Sequence, residues 1–544
     1  MAFLLPLLFI GAFVAYKVLP ILLEPFLTPL RRIPGPPNAS WLWGNLKEIR
    51  EGSEPGGTTR KYLEKYGHVA RYKLFLSSDR LLTTDAKALN HVLTHSAEYQ
   101  KPDHTRAFLL RIFGEGLLFA EGSIFLIREV ACLTSLKGKY TGGRCTYSVL
   151  KFIRELTANP AFGPAQIREF TDIFFQKSIQ LRDLWITKTD AASADGDVAR
   201  INVLSGLTNM TLDVIGIAGF GYEFNALNPS EKPNPLGQAM TEVLSSGTQP
   251  SVIGLVQSFV PILRFIKAAI ITSSKQGGID LSKRDVEGRD LLTLLIKANM
   301  ASDIPENQRL SDEEVIAQIP TFFIAGHETT AGAVTWCLFA LSQDKIRQQK
   351  LREELLSVST DTPTMDELMS LPYLDNVLRE TLRRHPPVTN SVRQATKDDF
   401  IPLSKPYTDI YGQVHDSIQV KAGDRINIPI LAVNCSKEMW GGNADDFIPE
   451  RWENPPECVS DIPGVWGHVL SFLGGPRACI GYRFSLVEFK VIVFTLLRAF
   501  EFDLAVPSSD IIKKANIVTR PIVKTGRDAC MVNISSFFGQ HMAY

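Results

Sequence analysis

One cysteine lies in a setting that suits metal ligation. Cys479 occupies the glycine-rich stretch Phe472-Leu-Gly-Gly-Pro-Arg-Ala-Cys-Ile-Gly481, and Arg477 places a cation two residues before it. The apolar run from Phe484 to Leu497 predicts a helix just beyond this stretch. Cys479 is therefore expected near a helix N-terminus, where partial positive charge favours the thiolate, the form that ligates iron. The alternative interpretation is a buried structural cysteine.

A polar cluster interrupts an apolar helical segment. Ala325-Gly-His-Glu-Thr-Thr330 lies inside the run from Ile316 to Leu341, where polar groups are costly unless they are used. A glycine there lets the helix open locally, while Glu328 and Thr329 offer a proton route and a hydroxyl. In the alternative, Thr329 bonds back to its own helix and Glu328 lies exposed. His327 is interpreted as a helix-packing or substrate-facing residue.

An acid and a base share one face of a later helix. Glu380 and Arg383 are spaced i, i+3 and precede His385-Pro-Pro387. Such a pair is usually an exposed ion pair of little value to stability. Its position before Pro449-Glu-Arg-Trp452, and before the cysteine loop, makes the order of motifs more specific than the pair alone.

Together these motifs resemble those of the cytochrome P-450 monooxygenases, over nearly the whole of residues 34–544. The match to that family's haem-binding loop consists of Phe472, Gly475, Arg477, Cys479 and Gly481. Ala325–Thr330 matches its oxygen-activation motif. The resemblance implies a mainly α fold with a small β region, in which a single large haem domain follows an N-terminal membrane anchor.

The resemblance also implies a role for each matching residue. Cys479 would be the axial ligand of haem b, and Glu328 with Thr329 would deliver protons. Cations that resemble those pairing with haem propionates are Arg477, Arg393 and, less directly, Arg154. Glu380 and Arg383 would meet Arg451 in a buried triad that holds the segment around the haem loop.

Composition narrows the partners. Lys and Arg total 58, as do Asp and Glu, so the formal charge is zero and nothing points to nucleic acid. An apolar small-molecule substrate is more compatible. Seven scattered cysteines without a Cys-x-x-Cys pair argue against a disulfide framework or a zinc site. No Gly-x-Gly-x-x-Gly fingerprint is present, so the chain itself is not expected to bind NADPH. The resemblance to membrane-anchored family members implies that a separate flavoprotein reductase on the same membrane supplies electrons from NADPH, docked by basic residues on the cysteine side.

The N-terminus predicts a membrane anchor. Residues 1–30 are the predicted anchor, in which the run from Ala2 to Leu23 is strongly apolar apart from Lys17, and about 20 apolar residues span a bilayer. Arg31-Arg32 then marks the following chain as cytosolic by the positive-inside tendency. Residues 31–38 form a proline-rich hinge, and 39–544 the catalytic domain, at the endoplasmic reticulum membrane. A cleaved signal peptide is the rival interpretation.

One segment departs from the family pattern. In family members a helix carrying Trp or His and then a propionate-binding Arg follows soon after the stretch matching Leu117–Gly122. Here that helix is delayed to Leu150-Lys-Phe-Ile-Arg154. Residues 123–149 thus form an insertion of roughly 27 residues, longer than typical connections. We interpret it as a retained intron or mispredicted exon; a contiguous message encoding it would contradict that interpretation.

Periodicity and strand signals predict the remaining elements. A hairpin is expected within Val69–Thr84, and strands near Asp409–Val420 and Arg425–Ile428. Predicted helices are 85–94, 167–185, 203–217, 291–299, 312–342, 345–357, 365–384 and 486–500.

The sequence constrains the type of reaction more than it constrains the substrate. Intact Glu328 and Thr329 favour oxygen use over a haem-thiolate isomerase or dehydratase, and over a non-catalytic haem-binding protein. Predicted pocket walls suit a terpenoid, steroid or fatty chain, and are formed by 100–118, 322–325, 387–392 and 516–519. The overall pattern is typical of fungal members, for which tailoring of terpenoids in secondary metabolism is the expectation by analogy.

Overall fold

The computed structural model describes residues 26–52, 54–113, 116–119, 121, 162–194, 199–228, 290, 318–515, 518–524 and 531–536. The chain divides into two compact units. The first takes its residues from Met1–Pro102, Val388–Asp446 and Pro456–Ala478. The second takes its residues from Asp103–Pro387, Phe447–Pro455 and Cys479–Tyr544.

Helices dominate the described chain. In chain order they are α1 Leu46–Glu51, α2 Gly57–Tyr66, α3 Ala86–Thr94, α4 Asp103–Phe113, α5 Pro164–Ala194, α6 Val203–Phe220, α7 Gln318–Ser342, α8 Lys345–Leu356, α9 Met365–Met369, α10 Pro372–Arg384, α11 Ile430–Asn434, α12 Lys437–Trp440 and α13 Tyr482–Ala499. The strands are β1 Val69–Lys73, β2 Asp79–Thr83, β3 Tyr99–Gln100, β4 Ala199–Asn202, β5 Ser391–Ala395, β6 Asp399–Thr408, β7 Val414–Val420, β8 Arg425–Ile428, β9 Phe500–Leu504, β10 Ile511–Ala515, β11 Thr519–Val523 and β12 Met531–Ser536.

The first unit is built on two sheets. Five strands pair in the order β1-β2-β8-β5-β3, and β2 and β8 run parallel while the other pairs are antiparallel. β6 and β7 form a separate antiparallel hairpin. Asp85 caps α3 by accepting a hydrogen bond from the Ala88 N–H. At its other end, the last turn of α3 contacts the short turn Gly475–Arg477, which carries part of the cysteine loop.

The second unit is mainly helical. α7 packs along α6, and α13 packs along α5. Gly326 permits the first of these contacts, because a Cβ there would lie 2.8 Å from Ile215 Cδ1. Phe174 and Phe484 meet edge to face at 4.8 Å in the second. A three-stranded sheet, β4-β12-β9, and the β10–β11 hairpin complete this unit.

Most predicted elements are confirmed. The hairpin appears as β1 and β2, β8 covers the predicted Arg425–Ile428, and α6, α7, α8 and α13 coincide with predicted helices within a few residues at their described ends. The predicted helix 85–94 is α3 with its cap, whereas 291–299 and 312–317 lie outside the described residues.

Two predictions of secondary structure are wrong in detail. The single helix predicted over 365–384 is two helices, because α9 ends at Met369 and Pro372 starts α10 at a position where its missing N–H costs nothing. The strand predicted from Asp409 begins only at Val414. Asp409 instead forms a turn, in which its carboxylate accepts hydrogen bonds from the N–H groups of Tyr411 and Gln413.

The predicted membrane anchor lies almost wholly outside the described residues, since the description begins at residue 26. In the part of the chain that is described, Val203–Phe220 alone has the length and apolar character of a membrane span. That helix is 72% buried inside the protein, as expected for a core helix.

Candidate active site

The cysteine loop is held against α3 by contacts that require glycine. Gly475 has a φ of +69°, and a Cβ there would lie 2.3 Å from the Leu93 carbonyl oxygen. A Cβ on Gly474 would lie 1.7 Å from the Pro463 carbonyl oxygen. Phe472 packs its ring against Trp466, with centroids 5.9 Å apart. Close backbone contacts therefore fix the position of the stretch before the cysteine.

Two predicted haem-binding cations lie in the first unit. Arg477 is half-buried, and its Nη2 donates to the Ser96 carbonyl oxygen at 3.5 Å. Arg393, on β5, is 3% exposed and donates through Nη1 to Ser391 Oγ and to the Val392 carbonyl, each at 2.9 Å. Carbonyl and hydroxyl oxygens thus help to orient both guanidinium groups.

Cys479 begins the last stretch of the second unit. α13 starts at Tyr482 with Gly481 as its N-cap, so the predicted position near a helix N-terminus is confirmed. The thiol surface is exposed, yet enclosing protein desolvates it and raises its pKa to about 11, against the opposing effect of the Gly481 N–H. The Gly481 N–H acts toward the thiolate, in the predicted direction, whereas desolvation acts against it and is the larger effect. A bound metal ion reverses this balance, since a coordinating thiol is deprotonated.

The polar cluster of α7 has an accessible face and a buried face. Ala325 is exposed in the middle of the helix, and the Thr329 hydroxyl donates to its carbonyl oxygen at 2.6 Å. Glu328 is buried, and its Oε1 accepts a hydrogen bond from Arg520 Nη2 on β11. The back-bonded alternative for Thr329 is thus observed, whereas the accompanying idea of an exposed Glu328 is wrong.

His327 has a packing role. It is 3% exposed, its Nδ1 lies 2.7 Å from the Phe323 carbonyl oxygen, and its ring packs on Phe323. Its own carbonyl accepts a hydrogen bond from Thr211 Oγ1 at 3.0 Å, which joins α7 to α6. Burial lowers the pKa of the imidazole, so His327 is neutral at physiological pH.

Glu380, Arg383 and Arg451 are brought together. Glu380 and Arg383 are fully buried, and Arg383 donates to the two carboxylate oxygens through Nε and Nη2 at 2.8 Å each. Arg451 Nε donates to Glu380 Oε1 at 3.0 Å. Two further donors, the Ile448 N–H and Trp452 Nε1, reach the same carboxylate at 2.8 and 3.0 Å. The i, i+3 pair is therefore a buried, satisfied network and not a surface ion pair.

Sequence reasoning assigned no role to three residues that the structure places in or beside these networks. Trp452 stands in the quoted Pro-Glu-Arg-Trp motif, so its contact with Glu380 had a local signal. Arg520 and Glu488 had none, because Arg520 meets Glu328 across 192 residues and Glu488 stands inside an apolar run. Arg154 and the insertion at 123–149 lie outside the described residues.

The donor set fits a haem better than a bare metal ion. Within the described ranges, no group of three or more His, Cys, Asp or Glu side chains could hold a metal. A single accessible thiol such as Cys479 holds iron only when a macrocycle supplies the other donors. Cations of the Arg393 and Arg477 type match the carboxylates that such a macrocycle carries.

Comparison with known proteins shows the family. The cytochrome P-450 family model matches residues 145–524. Cytochrome P-450 monooxygenase 128 of Postia placenta is 48% identical over 542 residues, covering 94% of this chain and 93% of the relative. Monooxygenase 205 of the same fungus is 47% identical over 543 residues, covering 95% and 94%. Cytochrome P-450 monooxygenase claQ of Ampulloclitocybe clavipes is 32% identical over 534 residues, covering 93% and 92%. The chain belongs to the cytochrome P-450 family and is an oxidoreductase.

Proposed function

We propose that this protein is a haem-thiolate monooxygenase that oxidises an apolar small molecule with O2, using electrons that a separate reductase takes from NADPH. The observation that carries the proposal is the setting of Cys479. A lone accessible thiol follows a loop packed through Gly475 and precedes the N-cap of α13. In the described chain no group of three or more His, Cys, Asp or Glu side chains could hold a metal, so an iron ligated by Cys479 needs a macrocycle to supply its other donors.

Haem b is the cofactor that these residues would hold. Cys479 would ligate its iron, while Arg393, Arg477 and the predicted Arg154 would bind its propionates. Thiolate-ligated haem, when bound, activates O2 for insertion into an unactivated C–H bond. Phe472, Gly475 and Gly481 shape the loop and fix where the thiol is presented.

Glu328 and Thr329 supply protons in this proposal. They are adjacent on α7, beside the exposed surface of Ala325. A carboxylate held by one cation can take up a proton from water and release it again. The Thr329 hydroxyl, oriented by its bond to the Ala325 carbonyl, can relay that proton because a hydroxyl both donates and accepts.

The substrate class rests on the apolar character of the predicted walls. Phe322 packs its ring on Phe162 at 5.8 Å, which places aromatic surface next to Ala325 along α7. A terpenoid-like compound of fungal secondary metabolism is the substrate that we propose, and the fungal origin of the relatives supports that analogy. Nucleic acid is not a proposed partner.

We place the enzyme at the endoplasmic reticulum membrane, with a single N-terminal anchor and a cytosolic catalytic domain. Support comes from the apolar N-terminal sequence and from exposed apolar side chains that follow it, Phe26 and Leu27. Ile410 and Tyr411 are also exposed, in a turn whose Ile410 N–H donates to the Arg32 carbonyl oxygen. Apolar surface of this kind marks contact with a membrane or another protein.

The carbon monoxide difference spectrum of the dithionite-reduced protein tests the cofactor. We expect a strongly red-shifted Soret band from the full chain, and its loss in Cys479→Ser. Cys458→Ser is the matched control, because Cys458 is also an exposed free cysteine. The same spectrum from a chain lacking residues 123–149 shows whether that segment obstructs haem binding. Absence of the band from both lengths would remove Cys479 as an iron ligand.

Turnover in the presence of NADPH and a fungal cytochrome reductase tests the reaction class. A monooxygenase consumes O2 only when both are supplied. A haem-thiolate isomerase or dehydratase rearranges a peroxide or epoxide without them, and a haem carrier shows neither activity.

A further inference from the structure

A buried carboxylate and a strand arginine meet on the buried face of α7, one residue before Thr329 in the chain. The Glu328 side chain is 7% exposed, and Arg520 of β11, whose side chain is 36% exposed, donates to it through Nη2. An ionised carboxylate that leaves water needs such a partner, because desolvation otherwise forces it to take up a proton. The contact with Arg520 therefore fixes the position of the Glu328 carboxylate.

The β10–β11 hairpin follows α7 over several turns. Glu328, Gly332 and Trp336 are spaced four residues apart, so they lie close to one face of the helix. At Gly332 the hairpin backbone comes close, since an added Cβ would lie 3.7 Å from the Thr519 carbonyl oxygen. Beyond it, Lys513 Nζ lies 5.4 Å from the centroid of the Trp336 ring.

Arg520 is also fixed from the strand side. The N–H of Thr519, the preceding residue, donates to the Pro387 carbonyl oxygen at 2.8 Å. Within the hairpin, Arg520 pairs in register with Lys514. The guanidinium thus projects from a backbone that is held at both sides, and its contact with Glu328 does not depend on a long free loop.

A titratable side chain beside this pair, His327, carries no charge. His327 senses both Glu328 and Arg520, which have opposite effects on its pKa, but burial is the larger cause and lowers that pKa. Burial keeps the imidazole neutral, and the charges in this contact, as far as the described residues show them, are those of Glu328 and Arg520.

We propose that Arg520 is a positioning residue for proton delivery, which holds the Glu328 carboxylate ionised beside Thr329 and ready to accept a proton from water. The inference rests on the proposed function. One proton from solvent enters the carboxylate and passes to the Thr329 hydroxyl, which releases its own proton toward the O2 that is being reduced, so both groups return to their starting charge. The electrons are those that the reductase of the proposed function supplies. Arg520 keeps its own proton throughout, because a guanidinium is not deprotonated in proteins.

A structural role and a positioning role predict different behaviour for three variants. Arg520→Ala removes the cation, and Arg520→Lys restores charge without the planar guanidinium. Lys513→Ala is the matched control, since it removes a cation that the same hairpin places on α7, at Trp336 and away from Glu328. Glu328→Gln identifies the infrared carboxylate signal of Glu328 by its disappearance.

Infrared difference spectroscopy at neutral pH shows whether the Glu328 side chain is an ionised carboxylate or a protonated carboxyl group, and it needs no turnover. We expect an ionised carboxylate in the wild type, in Arg520→Lys and in Lys513→Ala, and a protonated carboxyl in Arg520→Ala. A double-mutant cycle on urea unfolding should show coupling between Arg520 and Glu328 and none between Lys513 and Glu328. An ionised Glu328 in Arg520→Ala would overturn the proposal.

Reductase-driven O2 consumption reads the consequence for the reaction. In Arg520→Ala we expect the share of reduced O2 that leaves as hydrogen peroxide to rise, and water or product formation to fall at least about tenfold, short of the ~10²–10⁴ of a lost acid–base group. Arg520→Lys should recover most of the lost water or product formation. The Soret band should be unchanged in all variants. An equal loss in Lys513→Ala would show a merely structural role. Failure of the proposed function appears separately, as a wild type without the band, while the infrared result still stands.

Discussion

Lys490 Nζ lies 2.9 Å from Asp375 Oδ1, and this contact ties the helix that follows the cysteine loop to the helix that carries Glu380. The Lys490 side chain is fully buried, and Nζ also donates to the Met369 carbonyl oxygen at 3.3 Å. Burial lowers the pKa of Lys490, whereas the lysine is the main cause that holds the pKa of Asp375 below its ordinary value, against the opposing effect of burial. The pair therefore links α13 to α10.

Removing the lysine should destabilise the protein strongly. Lys490→Ala leaves Asp375 with only Arg379, whose Nε donates to it at 2.6 Å. Breaking a buried pair costs about 3–5 kcal/mol, and Arg379 should keep the loss at the lower end. The urea midpoint of the full chain measures it. Lys397→Ala is the control, because Lys397 pairs with Glu98 at an exposed position and should change the midpoint little. Equal effects of the two substitutions on the midpoint would contradict the assignment of Lys490 as a buried ion-pair partner.

Glu488 should make stability depend on pH. Its side chain is buried on α13 and faces Thr330, and burial raises its pKa to about 8. Below the unfolded pKa of about 4.3, both states are protonated and the native state bears no penalty. Between that value and about 8 the unfolded chain loses its proton first. Stability therefore falls as pH rises, with a slope approaching 1.4 kcal/mol per pH unit, and levels off above the native pKa.

Glu488→Gln tests this slope. The glutamine cannot ionise, so the variant should gain stability relative to the wild type between pH 5 and pH 8, and little below that interval. Glu457→Gln, at an exposed position, is the matched control and should leave the pH profile unchanged. Parallel profiles for wild type and Glu488→Gln in urea titrations would show that Glu488 ionises freely in the native state.

Two substitutions in the Glu380 network should lower the free energy of unfolding to different extents. Glu380→Gln keeps the shape of the side chain but leaves the guanidinium groups of Arg383 and Arg451 without this buried countercharge, at a cost of about 3–5 kcal/mol. Trp452→Phe removes a single donor to the carboxylate and should cost about 1.5–3 kcal/mol. Urea unfolding ranks the two. A larger effect from Trp452→Phe would mean that packing, and not charge, holds this segment.

Local patterns were enough to predict α7, α13 and the cysteine loop, because apolar periodicity and glycine placement act within a few residues. Local sequence signals also mark the break between α9 and α10. Thr364 and Glu367 form a capping box at the start of α9, and Pro372 opens α10. Both signals lie inside the long periodic run from which one helix was predicted. Apolar periodicity alone does not detect a capping box or a proline start.

Partners distant in the chain could not be predicted in the same way. Arg520 meets Glu328 across 192 residues, and Lys490 meets Asp375 through the packing of two helices. Each residue taken alone resembles an ordinary strand or helix cation. The pKa of Cys479 is a third example, since the opposing effects of burial and the Gly481 N–H are balanced only in the folded protein.

Gly475 offers the sharpest test of how the cysteine loop is held. Its φ is +69°, and a Cβ would lie 2.3 Å from the Leu93 carbonyl oxygen. Gly412 has a φ of +83° with nothing within 4 Å of an added Cβ. Gly412→Ala therefore isolates the left-handed strain, about 1–2 kcal/mol, whereas Gly475→Ala adds a clash with backbone. We expect both variants to unfold at lower temperature, and only Gly475→Ala to lose the red-shifted Soret band. Loss of the band in Gly412→Ala alone would contradict the assigned role of α3 in supporting the loop.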